Sequence, residues 1–361
     1  MKSKLVSAAC AATVAAGAAH AGGIERRGDP SQILFEEGNQ YLEFSVTHVA
    51  PNVSGTDTTG GFGPTGNITK SYQNWAFGYK NEINDKITFA FVVDEPVGAD
   101  VSYDTAGAFF SGSNASVNSI AATAMMKYQF TDRISAYGGL KLQGLSGTIQ
   151  VISPGTAPSP YNLNVDKDYQ FGYLLGAAYE VPEIAMRVAL TYESEIEHEF
   201  RDNAGNPFKV KTPQSVTLNA QSGIAANTLL FGSIRWREWT EFAVAPGDFF
   251  SLVPGVGAVN TPIANGTSDV WTYTLGVGRK FSDKWSGAFS LGYEKDNGDV
   301  VGNLSGTDGY WSYGVAAIYQ GEGYKITTGV RYIDIGSANT SVASFSGNDA
   351  VAVGMKVGWT F

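Results

Sequence analysis

Apolar and polar residues alternate with a period of two along the C-terminal end of the chain. Every second position carries a large apolar side chain: Val351, Val353, Met355, Val357, Trp359 and Phe361. The positions between them are small or polar and include Lys356. A period of two predicts a β-strand with two different faces. An apolar outer face with terminal aromatics and a polar inner face is typical of a transmembrane β-barrel, although a soluble sandwich strand can alternate in the same way.

The same alternation recurs in earlier segments of the chain. It is present over 186–193, 271–278, 285–294 and 324–332, and the charged residues that these segments contain lie on the face opposite the aliphatic ones. Lysine or arginine on the lipid face near the membrane midplane costs about 2–4 kcal/mol, so the charged face is expected to line the lumen. The pattern predicts an all-β fold, a transmembrane antiparallel barrel of about fourteen strands.

Short turn-like connections alternate with long polar ones along the chain. The short connections are 81–86, 131–133, 181–183, 225–227, 282–284 and 320–323. The long connections are 51–69, 103–116, 151–166, 201–212, 245–268, 296–308 and 337–348. Outer-membrane barrels have short periplasmic turns and long extracellular loops. This arrangement places both termini in the periplasm.

The chain begins with an export signal. An uncharged stretch over 5–18 follows two lysines, and Ala19-His20-Ala21 fits the small-x-small pattern of a cleavage site. We therefore assign residues 1–21 to a cleaved signal peptide rather than to a membrane anchor. The single cysteine, Cys10, lies within it, and the short apolar stretch before Cys10 argues against a lipoprotein. The mature chain then has no cysteine, which excludes disulfides and thiolate chemistry.

Composition narrows the class of protein further. The formal net charge is -10, which argues against nucleic acid as a partner because phosphate binding requires a basic surface. No apolar run after the signal is long enough for a membrane-spanning helix, so a spanning chain would have to form a closed barrel. The 44 glycines and 12% aromatic residues suit a curved wall with aromatic belts.

A short polar segment precedes the first expected strand. Residues 22–39 are rich in charge but contain the apolar trio Ile33-Leu34-Phe35, which needs a place to be buried. A plug inside the barrel lumen would provide one. The expected organisation is therefore a signal peptide (1–21), an N-terminal periplasmic hatch in the lumen (22–39) and a barrel (40–361) without an internal domain boundary.

The first third of the barrel contains a candidate opening in the wall. The segment Asp94 to Gly98 interrupts the apolar run 87–93. Pro96 cannot donate to a β-ladder, and Gly98 permits a bend, so both are predicted to form a kink. The alternative is that the strand simply ends there and continues into the loop.

Five segments, in order and with matching spacing, resemble the FadL-type outer-membrane transporters of long-chain fatty acids and other hydrophobic compounds (OMPP1/FadL/TodX). They are 44–55, 84–86, 96–101, 189–195 and 231–239. The resemblance extends over most of 29–361. It implies a fourteen-stranded barrel with an N-terminal hatch, capture of ligand at extracellular loops, and lateral release near a kinked third strand.

The chain departs from the family pattern in the hatch and in two loops. Asp29, Pro30 and Ser31 stand where the family hatch has Asn-Pro-Ala, and the hatch is short. The third and fourth long connections, 151–166 and 201–212, are also short for a family that captures its ligand there.

Candidate ligand-binding residues fall into two groups. Apolar loop residues are expected either to bind a hydrophobic ligand or to pack the loops against one another: Phe109, Phe110, Phe249, Phe250 and Leu252. Lumen-facing cations are expected either to orient a ligand carboxylate or to pair with acids such as Glu193, Glu294 or those of the hatch: Lys141, Arg187, Arg235 and Arg331.

The leading hypothesis is transport of long-chain fatty acids or other hydrophobic small molecules across the outer membrane of a Gram-negative bacterium. The expected partners are outer-membrane lipid, lipopolysaccharide and, through Phe361, the barrel assembly machinery; the protein is expected to be a monomer. Neither a cofactor nor a metal is expected, since Asp296, Asn297 and Asp299 lack a complete calcium ligand set.

Three alternatives remain at this point. A general diffusion porin would have an open, water-filled channel. A structural or adhesive barrel would transport nothing. An outer-membrane lipid hydrolase would need His48 or His198 beside a serine, but the chain has no Gly-x-Ser-x-Gly motif, and we do not expect an enzyme.

Overall fold

A computed structural model of the chain describes residues 24–298 and 300–361. The predicted signal peptide 1–21, the first two residues of the predicted hatch, and Asp299 lie outside the described residues. None of the helices in the described ranges combines the length and the apolar character that a membrane span requires.

Fourteen antiparallel strands close into a barrel, as the sequence predicts. Each strand pairs with its neighbours along the chain, and the last pairs with the first, with Thr360 opposite Tyr41. The strands are β1 Gln40–Asn52, β2 Tyr72–Asn84, β3 in two segments, Ile87–Asp94 and Gly98–Ser102, β4 Asn114–Gln129, β5 Ile134–Val151, β6 Tyr161–Val181, β7 Met186–Glu193, β8 Ser215–Ala225, β9 Thr228–Arg237, β10 Val270–Lys280, β11 Trp285–Glu294, β12 Tyr310–Gln320, β13 Tyr324–Ile335 and β14 Asn348–Thr360.

The two faces of the wall follow the alternation in the sequence. On β14, Val353 and Met355 are exposed while Ala352 and Lys356 are buried, and the other strands alternate similarly. Aromatic residues mark the outer face near the strand ends: Trp285 packs on Tyr319 at one end, and Tyr293 packs on Trp311 at the other. The polar face therefore lines the lumen.

The long connections carry most of the remaining secondary structure. Short strands are Ser54–Asp57, Gly66–Asn67, Thr156–Ala157, Ile196–Arg201, Pro207–Thr212, Ala243–Val244, Phe250–Val253, Gly257–Asn260, Ala264–Asn265, Ala338–Asn339 and Ala343–Phe345. Short 3-10 helices are Pro30–Phe35, Pro182–Ile184 and Trp239–Glu241. The fourth connection is longer than predicted, because β7 ends at Glu193 and a hairpin over 196–212 follows. The third connection is shorter than predicted, because β6 already begins at Tyr161.

Candidate functional site

The N-terminal segment, residues 24–39, contacts inward-facing side chains of several barrel strands. Its 3-10 helix begins after Asp29, whose side chain accepts a hydrogen bond from the Ser31 amide at 2.9 Å. The same carboxylate accepts from Thr191 of β7 at 2.8 Å and from Asn219 of β8 at 3.0 Å. Ile33 and Leu34 are buried against lumen-facing residues. Phe35 is only partly buried beside them, and Asp29 fixes the helix to the wall.

The beginning of the segment pairs with the interrupted third strand. Between the two parts of β3, Val97 forms an antiparallel β-bridge with Glu25. The Arg26 amide donates to the Pro96 carbonyl at 2.9 Å, and the Gly98 amide donates to the Ile24 carbonyl at 2.7 Å. The N-terminal segment therefore provides backbone hydrogen-bond partners for the residues around the break in β3.

Arg26 makes further contacts around this pairing. Its guanidinium forms an ion pair with Asp100 at 3.2 Å and lies 4.2 Å above the ring centre of Tyr72. Its carbonyl accepts from the Asn74 side chain at 2.8 Å. One residue thereby connects the segment to β2 and to both sides of Gly98.

The wall is interrupted beside these contacts. The ladder between β2 and β3 ends at the pair Ala76–Asp94, so the first residues of β2 have no backbone partner in β3. The Trp75 amide instead donates to the Glu95 carboxylate at 3.2 Å, and the Val97 amide donates to the Ser119 hydroxyl at 2.9 Å. Side chains replace ladder hydrogen bonds where the sequence predicts a kink.

The end of the segment is held by lysines from three strands. Glu36 pairs with Lys325 of β13 at 3.0 Å and with Lys356 of β14 at 3.3 Å. Lys80 of β2 donates to the carbonyls of Glu36 at 2.7 Å and Gly38 at 2.6 Å. The segment is consequently anchored at both ends.

An upper cavity of about 210 Å³ lies between the segment and the long connections. Its lining is mostly apolar and includes Val49, Val117, Phe242, Val244, Val270 and Leu304. Gly98, Asp100 and Val101 of β3 form part of the wall, with Thr69 and Tyr72 across the interruption. The cavity therefore borders the gap between β2 and β3, and Arg26 lies at its floor.

A lower cavity of about 140 Å³ lies alongside the segment, and its lining is more polar than that of the upper cavity. Asp29, Asn219, Thr272 and Lys356 are among its lining residues. Arg26 lines both cavities, so this side chain forms part of the partition between them.

The predicted lumen cations all point inward, but they do not form one site. Lys141 forms an ion pair with Glu193, and Arg235 pairs with Glu25 of the segment. Arg187 donates to the side chains of Gln32 and Gln221. Among the described residues, Arg331 has one hydrogen-bond partner, Ser312, at 3.4 Å. Of these residues, Arg235 lines the lower cavity and none lines the upper one.

The predicted apolar loop residues pack mainly against other loops. Phe110 and Phe249 are buried in the hydrophobic cluster beneath the long connections, and Phe109 contacts both Phe110 and Phe62. Phe250 is half-buried, and Leu252 is exposed. The lining of the upper cavity includes none of these five, so their contact with a ligand stays a prediction.

Two residues that line the upper cavity were not predicted from the sequence, because they do not belong to the alternating pattern of a strand. Trp239 and Phe242 follow the last strand residue of β9, in a short 3-10 helix and just after it. Their place beside Glu25 and Tyr310 depends on how the fifth long connection folds back over the lumen. Two aromatic residues within five positions of the end of a strand are the sequence feature that indicates such packing.

The two mature histidines do not form a hydrolytic site. His48 is exposed on β1. His198 is fully buried; its Nδ1 lies 3.1 Å from Asp168, and its Nε2 has no hydrogen-bond partner among the described residues. Burial lowers the pKa of His198, against the opposing effect of the Asp168 carboxylate. Across the described ranges, no group of three or more histidine, cysteine or acidic residues could hold a metal.

Comparison with known proteins agrees with this architecture. The structure is similar to a FadL homologue from Pseudomonas aeruginosa, with a TM-score of 0.74 at 14% identity over 97% of this chain and 98% of that chain. It is also similar to the toluene transporters TodX of Pseudomonas putida and TbuX of Ralstonia pickettii, with TM-scores of 0.66 and 0.62, each at 11% identity over 92% of both chains. No curated protein matches the sequence.

A sequence model of one family covers most of the barrel. Residues 30–296 match the model described as outer membrane protein transport protein (OMPP1/FadL/TodX). This match confirms the resemblance inferred from the five segments. It also confirms the expectation of a transport protein rather than an enzyme. The chain therefore belongs to the OMPP1/FadL/TodX family of outer membrane transport proteins.

Proposed function

We propose that this protein moves small hydrophobic compounds from the cell surface into the outer membrane of a Gram-negative bacterium. The observation that carries the proposal is the position of the upper cavity, which has apolar walls and borders the interruption of β3 at Gly98. A compound that leaves water for such a cavity gains about 0.8 kcal/mol for each buried methylene. Family membership supports transport, and the cavity suggests the route.

The size of the upper cavity favours compact ligands over long ones. An apolar cavity of roughly 150 Å³ holds benzene, whereas drug-sized ligands occupy roughly 300–1,000 Å³. At about 210 Å³, this cavity suits a single aromatic ring or a short alkyl chain. A long-chain fatty acid would extend beyond it. The toluene transporters among the similar structures support the same substrate class.

The proposed route begins at the extracellular loops and ends in the lipid. Exposed apolar residues such as Leu252 bind the compound first, and the upper cavity receives it. Release occurs sideways, between β2 and β3, where side chains such as Glu95 replace the backbone ladder. A few side-chain contacts separate more readily than a continuous ladder of backbone hydrogen bonds, which makes this the weakest part of the wall.

Residues 22–39 serve as the hatch in this proposal, after removal of the signal peptide 1–21. The ion pairs of Arg26 and Glu36 hold the segment across the lumen and oppose free passage of water and ions. This occlusion separates the proposal from a general diffusion porin. The exposed Phe361 at the C-terminus is proposed to contact the barrel assembly machinery, and the mature protein is proposed to be a monomer amid lipid and lipopolysaccharide.

A reversible cross-link across the interruption tests the route. Thr69 and Val101 form an antiparallel β-bridge, and opposite residues in such a bridge are about 4.5–5.5 Å apart between their Cα atoms, within the range of a disulfide. A Thr69→Cys/Val101→Cys variant introduces the only cysteine pair of a mature chain that otherwise lacks cysteine. Uptake of radiolabelled toluene and of oleate is measured in cells that lack other hydrophobic-compound transporters.

Lateral release predicts that oxidation of this pair abolishes toluene uptake and that reduction restores it. The matched control is Ala288→Cys/Ala316→Cys, an opposed lumen-facing pair on β11 and β12, which should transport equally in both redox states. Equal uptake by the oxidised Thr69→Cys/Val101→Cys barrel would reject the lateral route. Uptake of oleate without uptake of toluene would contradict the preference for compact ligands inferred from the cavity volume, and would identify long-chain fatty acids as the substrate.

A further inference from the structure

The indole N–H of Trp239 is a buried donor without an acceptor. Trp239 begins the 3-10 helix that follows β9, lines the upper cavity and is 2% exposed. Its Nε1 has no hydrogen-bond partner in the described part of the chain. A buried donor that lacks an acceptor loses its hydration without compensation, so folded proteins seldom leave one in this state. Trp239 therefore keeps an unused donor beside the space in which the proposed ligand binds.

Other aromatic donors near the long connections have acceptors within the protein. Nε1 of Trp236 donates to the Asp269 carboxylate at 3.0 Å, and the Tyr161 hydroxyl donates to the Asp248 carboxylate at 2.6 Å. Among the described residues, no carbonyl or carboxylate takes this role for Trp239. The difference indicates that the acceptor for Trp239 comes from a molecule bound beside it.

The backbone around Trp239 is fixed by close contacts. The Phe242 amide donates to the Trp239 carbonyl at 3.1 Å, and the Gly266 amide donates to the Phe242 carbonyl at 2.9 Å. A β-carbon on Gly266 would be 1.8 Å from the Trp239 carbonyl oxygen, so only glycine allows the two backbones to approach this closely. The indole is therefore held in place before a ligand arrives, which lowers the entropic cost of binding.

The contacts of the indole ring leave its N–H unused. The guanidinium of Arg237 lies over the ring at 5.8 Å from its centre, and the Phe242 ring packs against it with the two planes at 77°. An indole N–H bond lies in the plane of the ring, so a cation above the ring does not engage it. Trp239 and Phe242 both line the upper cavity, and an acceptor can approach from there.

We propose that Trp239 binds a neutral oxygen atom of a hydrophobic ligand in the upper cavity. The ligand class is small aromatic or short aliphatic ketones, aldehydes and esters, whose carbonyl oxygen accepts the indole N–H while the hydrocarbon part contacts apolar walls. The inference rests on the proposed transport of small hydrophobic compounds. It adds that Trp239 makes this transport selective for compounds that carry a carbonyl group.

The charges around the cavity favour a neutral ligand over an anion. The lining contains the acids Glu25, Asp100 and Asp308 and the cations Arg26 and Lys70. Arg26 already pairs with Asp100 at 3.2 Å, and Lys70 is exposed to solvent. An anion in a mostly apolar cavity requires a counter-charge, whereas a neutral carbonyl requires one donor. The indole N–H supplies that donor without adding charge.

Two probes of the same shape test the assignment. Acetophenone and α-methylstyrene differ only in that the carbonyl oxygen of the first is a methylene group in the second. Their affinities are measured by calorimetric titration of the barrel in lipid nanodiscs, with the heat from empty nanodiscs subtracted. Trp239→Phe keeps an aromatic ring but loses the donor, so it should lower the ratio of acetophenone affinity to α-methylstyrene affinity by about fivefold. Trp236→Phe, whose N–H bonds to Asp269, is the matched control and should keep the wild-type ratio.

A spectroscopic measurement separates the hydrogen bond from changes in packing. In protein labelled with isotopic tryptophan, the Nε1–H resonance of Trp239 is identified by its absence in Trp239→Phe. This resonance should move downfield with acetophenone and should not do so with α-methylstyrene. If Trp239→Phe lacks the heat-modifiable migration of a folded barrel, benzothienylalanine at position 239 replaces the N–H by sulfur in a ring of similar shape and serves both measurements.

The outcomes separate this inference from the proposed function. An affinity ratio that is equal in the wild type and the folded variant overturns the role of Trp239 and leaves transport standing. An Nε1–H resonance that acetophenone binding does not move shows that water or another group keeps the donor, and it overturns the inference as well. Failure of both probes to bind overturns the proposed function itself.

Discussion

The guanidinium of Arg26 lies directly against Gly98. A β-carbon on Gly98 would be 2.6 Å from Nε of Arg26, closer than real β-carbons approach a neighbouring atom. The close approach lets Arg26 reach Asp100 and Tyr72 together. A glycine in the interrupted strand is therefore required by a residue 72 positions earlier in the chain, as well as by the bend itself.

Gly98→Ala should displace Arg26 and open the partition between the two cavities. The methyl group leaves no space for the guanidinium, so the ion pair with Asp100 is lost. We expect single-channel conductance in planar bilayers to rise several-fold above that of the wild type. Gly63→Ala, in a loop where a β-carbon meets only ordinary contacts, is the control. Unchanged conductance in Gly98→Ala would show that Arg26 does not limit the passage of ions.

Glu25→Gln should destabilise the barrel strongly. Glu25 pairs with both Arg235 and Arg237, and all three side chains are buried. Removing one partner of a buried ion pair costs about 3–5 kcal/mol because the remaining charge is uncompensated. Equilibrium unfolding in guanidinium chloride measures this loss. Glu183→Gln removes an exposed pair with Arg133 and should leave stability nearly unchanged; equal losses in the two variants would contradict the prediction.

Acid should loosen the hairpin over 196–212. The pKa of His198 is lowered in the folded state by burial, so the unfolded hairpin binds a proton more readily than the folded one. Stability is therefore present above the unfolded pKa of about 6.5 and falls as the pH decreases from there towards the lower folded value. The protection factors of the hairpin amides, which correct for the slower intrinsic exchange in acid, should fall between pH 7.5 and pH 5. His198→Gln should flatten this pH dependence, and a loss of protection that persists in the variant would assign it to another group.

Leu275→Lys should weaken the barrel through its lipid face. Leu275 is 56% exposed near the middle of β10, on the outer side of the wall. A lysine at the membrane midplane costs about 2–4 kcal/mol. Folding into liposomes gives this difference directly. Val256→Lys, in the exposed hairpin of the fifth long connection, should be nearly neutral, and a similar loss there would place the hairpin in lipid.

The sequence was sufficient to predict the barrel wall, because the two faces of a strand and the turns between strands depend on residues that are close together in the chain. Leu275 faces lipid and Thr272 faces the lumen by alternation alone, and the turn residues between strands are adjacent in the chain. The interruption of β3 was predictable for the same reason, since Pro96 removes a donor at its own position.

Pairings inside the lumen were not predictable in this way. Arg235 and Glu25 were both visible as charged residues, but their meeting depends on the stagger of the barrel and on the path of the N-terminal segment. The lining of the upper cavity by Phe242 depends likewise on a long connection that folds back over the lumen. Contacts between residues distant in sequence have no signature in a local pattern of polar and apolar positions.

The ion pairs of Glu36 impose an order on folding. Lys325 and Lys356 lie 289 and 320 residues after Glu36, on the last two strands of the barrel. Closing so large a loop has a high entropic cost, so these contacts form only once the flanking strands are in place. The first residues of the folded chain are therefore among the last to reach their final positions, and their ion pairs form only when the barrel is complete.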